Sequence, residues 1–240
     1  MSGRLGHLWV YLAASPLLWL TLTLIAYQGA HWVAKRFAFH PLVNPVLLSI
    51  VALVLVLRLT GTPYAVYFDG AQFVHFLLGP ATVALAIPLY QHWQRLRRMW
   101  LPLGLSLVAG SAVAAVSAFG IARLLGASRE VAFSTAPKSA TMPIAMGIAE
   151  EIGGIPSLTA VFVVLTGILG AMLGKGLLDR LGCRDDAIQG FAIGLTSHGI
   201  GTARAFQISQ LAGAFSGLAM GLNGLLTAVL VPFLLGWMTA

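Results

Sequence analysis

Residues 128–155, SREVAFSTAPKSATMPIAMGIAEEIGGI, decide how this chain is threaded. The stretch is apolar enough to enter a bilayer, yet it carries Pro137, Lys138, Pro143, Glu150, Glu151 and the pair Gly153–Gly154. A proline inside a helix removes a hydrogen bond and collides with the preceding turn. Two prolines and a lysine so close together argue against one straight spanning helix. A broken span and a hairpin that dips in and returns both fit.

The rest of the chain makes the bilayer the relevant solvent. Its 240 residues are 58% hydrophobic and 9% charged, against roughly 45–50% and about 25% in soluble domains. Too few charges remain to cover a water-soluble surface, which excludes soluble enzymes, nucleic-acid-binding domains and disordered tails. Nucleic acid is not an expected partner despite the net charge of +7, because the basic residues fall mostly in short gaps between apolar runs. Cys183 is the only cysteine, so there is no intramolecular disulfide and no zinc spacing.

A hydrocarbon core of about 30 Å needs about 20 helical residues. Apolar runs near 8–28, 42–60, 72–90, 101–125, 156–178, 187–209 and 211–238 meet that requirement, and lipid forces them to be helices. The first run, although preceded by Arg4 and containing Ala13-Ala14-Ser15, is longer than a secretory signal core and reads as a membrane helix. Charge then chooses the threading of 128–155. With a returning hairpin, Lys35, Arg36, Arg95, Arg97, Arg98, Lys175, Arg180 and Arg184 share the cytoplasmic side, leaving Arg4, Arg58, Arg123 and Arg129 outside. A full crossing moves the third cluster out and reverses the bias. The expected fold is therefore an all-α polytopic membrane protein with about seven transmembrane helices plus a re-entrant segment. The N-terminus is expected outside and the C-terminus in the cytoplasm.

This threading makes one integral membrane domain, 1–240, of an N-terminal span (1–41), a first repeat (42–125), the re-entrant segment (126–155) and a second repeat (156–240). The echo lies between Gly79-Pro80-Ala81-Thr82-Val83-Ala84 and Gly199-Ile200-Gly201-Thr202-Ala203-Arg204. An offset of three spans inverts one triplet relative to the other, the plan in which interrupted helices hold a substrate near the midplane.

Several residues then carry possible chemistry. Arg204 lies deep in 187–209, where a charge costs several kcal/mol unless it meets a partner or a wet cavity. Beside the Gly199–Gly201 interruption it reads as an anion or coupling site, or as a structural residue that reaches an interface or pairs with a glutamate. Lys138, with Ser139 and Thr141 ahead of the helical run 143–152, makes a second anion candidate, or a lysine snorkelling to the headgroups. Glu150 and Glu151 close that half-helix and are candidates for proton coupling, for pairing with Arg204, or for simple exposure near the interface. His198 is a candidate titrating group or a satisfied buried histidine, and Thr82 is the repeat counterpart of Thr202. The GxxxG pairs Gly170/Gly174, Gly190/Gly194 and Gly217/Gly221 read as close helix packing. No nucleophile elbow, HExxH or metal cluster stands out, so neither an enzyme, a metal nor a cofactor is expected.

Four ordered motifs, Phe76–Tyr90 (FLLGPATVALAIPLY), Ala136–Thr141 (APKSAT), Gly153–Phe162 (GGIPSLTAVF) and Thr196–Ala205 (TSHGIGTARA), resemble the LrgB/CidB membrane family from about residue 42 onward. The resemblance implies one of two functions. One is an antiholin-like regulator of murein hydrolase export and cell lysis, acting with a small LrgA/CidA-type membrane partner. The other is a carrier of small monocarboxylates of the pyruvate, glycolate or glycerate type in the bacterial cytoplasmic (inner) membrane. It makes Thr82, Lys138, Ser139, Thr141, His198, Thr202 and Arg204 the substrate-binding candidates. A homodimer is expected by analogy with carriers that move a bundle.

Overall fold

The computed structural model describes residues 15–40 and 43–236. Arg4 and the start of the 8–28 run lie outside them. The described residues are helical, with no strand among them. They form two compact units that divide after Ala84.

The first unit holds α1 (Pro16–Arg36), α2 (Pro45–Thr60), α3 (Tyr64–Phe76) and α4 (Leu78–Ala84). Helix α1 extends past the 8–28 run because no breaker intervenes before Ala38 and Phe39, whose φ angles are positive. Asn44 caps α2 by accepting from Val46 N and Leu47 N, with Pro45 at the first helical position and Gly61 ending the helix in the left-handed region. Trp19 is fully buried against the edge of Tyr67.

The second unit carries the features that position the site. It contains α5 (Ala86–Gln91), α6 (Trp93–Leu124), α7 (Arg129–Thr135), α8 (Met142–Glu151), α9 (Pro156–Arg180), α10 (Asp186–Ile208) and α11 (Gln210–Leu235). Four stretches of the described residues are long and apolar enough to cross a membrane: Tyr64–Gln91, Trp93–Leu124, Pro156–Arg180 and Gln210–Leu235.

Helices α7 and α8 are the two arms of a hairpin. The turn between them, 136–141, contains Pro137, and Pro143 sits in the first turn of α8. The hairpin is fastened at the end of α7 by Ser134, whose Oγ accepts from Ile155 N at 2.7 Å while its carbonyl accepts from Thr159 Oγ1 at 3.0 Å. Residues 134 and 155 therefore meet, so the chain beyond α8 comes back to α7 and does not continue away from it. The hairpin packs with the ends of α6 and α11 in one apolar cluster of Phe119, Phe133, Ile148, Ile152, Val231 and Leu235.

The run 187–209 overturns its expectation of a through-going helix. Ser197 and His198 leave helical geometry, His198 with φ 41° and ψ −134°, and the chain folds back there. Ser216 shows it directly: its backbone meets Gly194, and its Oγ lies 3.0 Å from Thr202 Oγ1. In a straight helix those two positions would stand about 12 Å apart. A Cβ on Gly201 would likewise come within 2.8 Å of Ile193 O. So α10 is a second hairpin, with arms 186–196 and 199–208. Its first arm lies against α11 at Gly190 and Gly194, where any side chain would strike the α11 backbone.

The two hairpins enter from opposite ends. Arg95, near the start of α6, pairs with Asp185, the N-cap of α10. Arg95, Arg97, Arg98, Lys175, Arg180 and Arg184 thus gather at one end of this unit, and Arg123 and Arg129 belong to the other. Because α10 returns to the basic end, α11 runs parallel to α6 and finishes at the far end, beside Phe119. The expectation of a cytoplasmic C-terminus assumed that 187–209 crosses; with the fold-back, α11 ends away from the basic cluster that was expected inside.

Candidate functional site

The hairpin tips meet midway along α9 and α11. Ala140 and Ala145 of the first hairpin pack on Val163 of α9. His198, at the tip of the second, donates from Nε2 to the carbonyl of that same Val163 at 3.0 Å. A stripe of small residues on α9 makes room: side chains at Gly167 and Gly170 would collide with His198 and Ser197. His198 is therefore buried and satisfied, the second of its two expected states.

Between the tips stands Asn223 of α11, which the sequence reading passed over. Its Nδ2 donates to Ser139 O and to Leu195 O, both at 3.1 Å, one carbonyl from each hairpin. Its Oδ1 accepts from Ser111 Oγ at 2.5 Å and from Thr227 Oγ1 at 3.3 Å. The signal was present: Asn223 is the one amide in the run 211–238, and polar side chains at such depth usually join helices. Thr202 adds a hydroxyl, donating to His198 O at 2.9 Å and lying beside Ser216.

Both second arms begin at the tips, so both present helix N-termini to the meeting point. Thr141 precedes α8 without a side-chain cap bond, leaving early N–H groups for another acceptor. Lys138 stands in the same turn, half-buried, its ammonium 3.5 Å from Ser139 Oγ and in no ion pair among the described residues. The acids of this unit are all elsewhere. Glu130 lies in the first turn of α7, Glu150 and Glu151 end α8, and Asp179, Asp185 and Asp186 lie toward the basic end. The centre thus combines a lysine, hydroxyls and helix N-termini with no carboxylate of this unit beside them, which suits a small anion.

Arg204, Glu150 and Glu151 stand apart from this centre. Arg204 lies on the second arm of the second hairpin, past the tip toward the basic end. Its Nη1 donates to Gln207 Oε1 at 2.9 Å and its Nε is buried without a partner. Glu150 and Glu151 are exposed at the far end of the first hairpin, so the two hairpins hold them on the opposite side of the tips from Arg204. Of the alternatives for these glutamates, pairing with Arg204 does not form among the described residues, and exposure is what the structure shows. Thr82 belongs to α4, and its side chain lies outside the described residues. A cavity of about 320 Å³ follows α6 and the first arm of the second hairpin, from Met99 and Ile188 to Gly110 and Thr196 beside the tip.

The LrgB-like family model matches residues 23–237. The uncharacterized protein YwbG of Bacillus subtilis (strain 168) is 37% identical over 219 residues, covering 91% of this chain and 97% of that protein. A "Holin-like protein CidB" from Staphylococcus epidermidis (strain ATCC 12228) is 30% identical over 218 residues, covering 91% and 95%. Another of that name from Staphylococcus aureus (strain N315) is 30% identical over 220 residues, with the same coverage. No solved structure matches. Together with the four apolar stretches of spanning length, these relatives mark a membrane protein. A family match across almost the whole chain, joined to near full-length relatives, means that this protein belongs to the LrgB-like family.

Proposed function

We propose that the protein is a secondary transporter of small monocarboxylates, of the pyruvate, glycolate or glycerate type, in the bacterial cytoplasmic membrane. The observation that carries this reading is the meeting of two hairpin tips, from opposite ends, midway along two helices of spanning length. In this reading the first hairpin is re-entrant from outside and the second from the cytoplasm, with the basic end inside. The seven-span threading thereby loses 187–209 as a crossing. The inverted pair becomes α7–α8–α9 against α10–α11, in place of the triplets 42–125 and 156–238.

The cargo carboxylate sits between the tips, held by Lys138, by the hydroxyls of Ser139, Thr141 and Thr202, and by the N–H groups opening the second arms. Transport is coupled to protons or to exchange. Release of one tip opens the site toward its own side, which is alternating access with a fixed centre. Arg204 is a further cation on the cytoplasmic approach. The test is uptake of labelled pyruvate, glycolate or glycerate into proteoliposomes. Lys138→Ala is expected to cut uptake by about tenfold or more, since one charge-assisted hydrogen bond is worth ~1.5–3 kcal/mol. Uptake no greater than that of empty vesicles for all three acids would overturn the reading.

The holin-like name of the relatives supports a second reading, a regulator of murein hydrolase export and lysis acting with a small LrgA/CidA-type subunit. That reading expects a lysis phenotype that survives substitution of both Lys138 and Arg204. An open holin pore would instead leak dyes along with acids.

A further inference from the structure

We propose that Asn223 is a positioning residue, one carboxamide that fastens both hairpin tips to α11 so that neither can swing without giving up a donor bond. The two carbonyls it holds are the ones the chain breaks release. Leu195 O lies at the end of the first arm, where the break at Ser197–His198 removes its helical donor, and Ser139 O belongs to the turn between α7 and α8. Unpaired backbone groups at this depth find no water to replace a lost donor. An amide nitrogen has two hydrogens, and here one goes to each hairpin. Ser111 and Thr227 occupy Oδ1 from the other side, which turns the NH₂ toward the tips. Asn223 is 1% exposed, and its hydrogen-bonding capacity is fully used.

The consequence is mechanical. The two tips share one clamp, so loosening the clamp frees both hairpins together, although they enter from opposite ends and have separate bases. This goes beyond the carrier reading, because it concerns the tips themselves and is measured without cargo.

The experiment is hydrogen–deuterium exchange on the full chain in lipid nanodiscs, each variant compared with the parent at the same pH. In Asn223→Asp the ionised acid keeps the acceptor but presents no donor, whereas the protonated acid has one. Exchange in both 136–145 and 194–202 is expected to exceed the parent by about tenfold, the equivalent of one such bond. The excess is expected to grow as pH rises from 5 to 9, while α6 and α9 stay protected. Asn223→Leu, which keeps bulk without any donor, covers the cases in which the acid fails to fold or stays protonated; it is expected to raise both segments equally at every pH. Both segments rising supports the shared clamp, and its failure leaves the carrier reading to the uptake assay. A rise confined to one hairpin, spread evenly through α6 and α9, or absent from both folded variants overturns it.

Discussion

Gly194 and Gly221 are both helical glycines, and the structure asks opposite things of them. A Cβ on Gly194 strikes the Ser216 carbonyl, whereas nothing lies within 4 Å of one on Gly221. Gly194→Ala is expected to lower the melting temperature of the purified protein, with a cost of about 1–3 kcal/mol typical of overpacking. Gly221→Ala is expected to leave it unchanged or raise it, by up to ~1 kcal/mol of helix propensity. Equal melting temperatures would remove the close approach of the second hairpin to α11. The cations differ in the same way. Lys138 sits at the meeting point without a carboxylate partner, while Arg204 is bonded to Gln207 on its own arm. Uptake assays are therefore expected to show a larger loss for Lys138→Ala than for Arg204→Ala, with Lys138→Arg retaining part of the activity. The reverse order would return Arg204 to the centre.

At the scale of the element, both hairpins are made by breaking a helix, but with different devices. The first uses prolines, whose effect on a helix is legible in any sequence. The second bends at His198, which holds φ 41° with a side chain attached, a conformation that typically costs ~1–3 kcal/mol. The bond from Nε2 to Val163 O and the fit against Gly167 and Gly170 help hold it there. His198→Val is expected to be the most damaging substitution at this position, because a β-branched residue resists positive φ. His198→Gly relieves the backbone while losing the bond, so its melting temperature is expected above that of His198→Val. This explains why the first hairpin was readable from 128–155 and the second was not. Gly199 and Gly201 announced an interruption, but a kinked crossing and a full reversal share that local signature. The contacts of Gly194 and Thr202 with the same serine, and of Gly201 with Ile193, distinguish them.

Across the whole molecule, composition alone revealed the helical, lipid-facing class, and the charge clusters revealed which ends of 85–236 belong together. The Arg95–Asp185 pair joins two of those clusters. The candidate site was half legible: Lys138, Ser139, His198 and Thr202 come to the tips, while Glu150 and Glu151 lie far from Arg204, because pairing across 50 residues depends on a reversal the sequence does not declare. Asn223 was not legible because a neutral amide costs less in lipid than a charge and so stands out less, yet it does the joining. The reversal also moves the end of α11. A reporter fused after Ala240 is expected on the side opposite Arg98, and a cytoplasmic reporter would contradict the parallel course of α6 and α11. The most direct measurement of the account is side-specific labelling with a membrane-impermeant maleimide in sealed vesicles of known orientation, using a Cys183→Ser background. Asp186→Cys and Gln210→Cys, at the two feet of the second hairpin, are expected to label from the same face, and Arg129→Cys and Glu151→Cys, at the feet of the first, from the other. Labelling of Asp186→Cys and Gln210→Cys from opposite faces would make 187–209 a crossing helix and contradict the account.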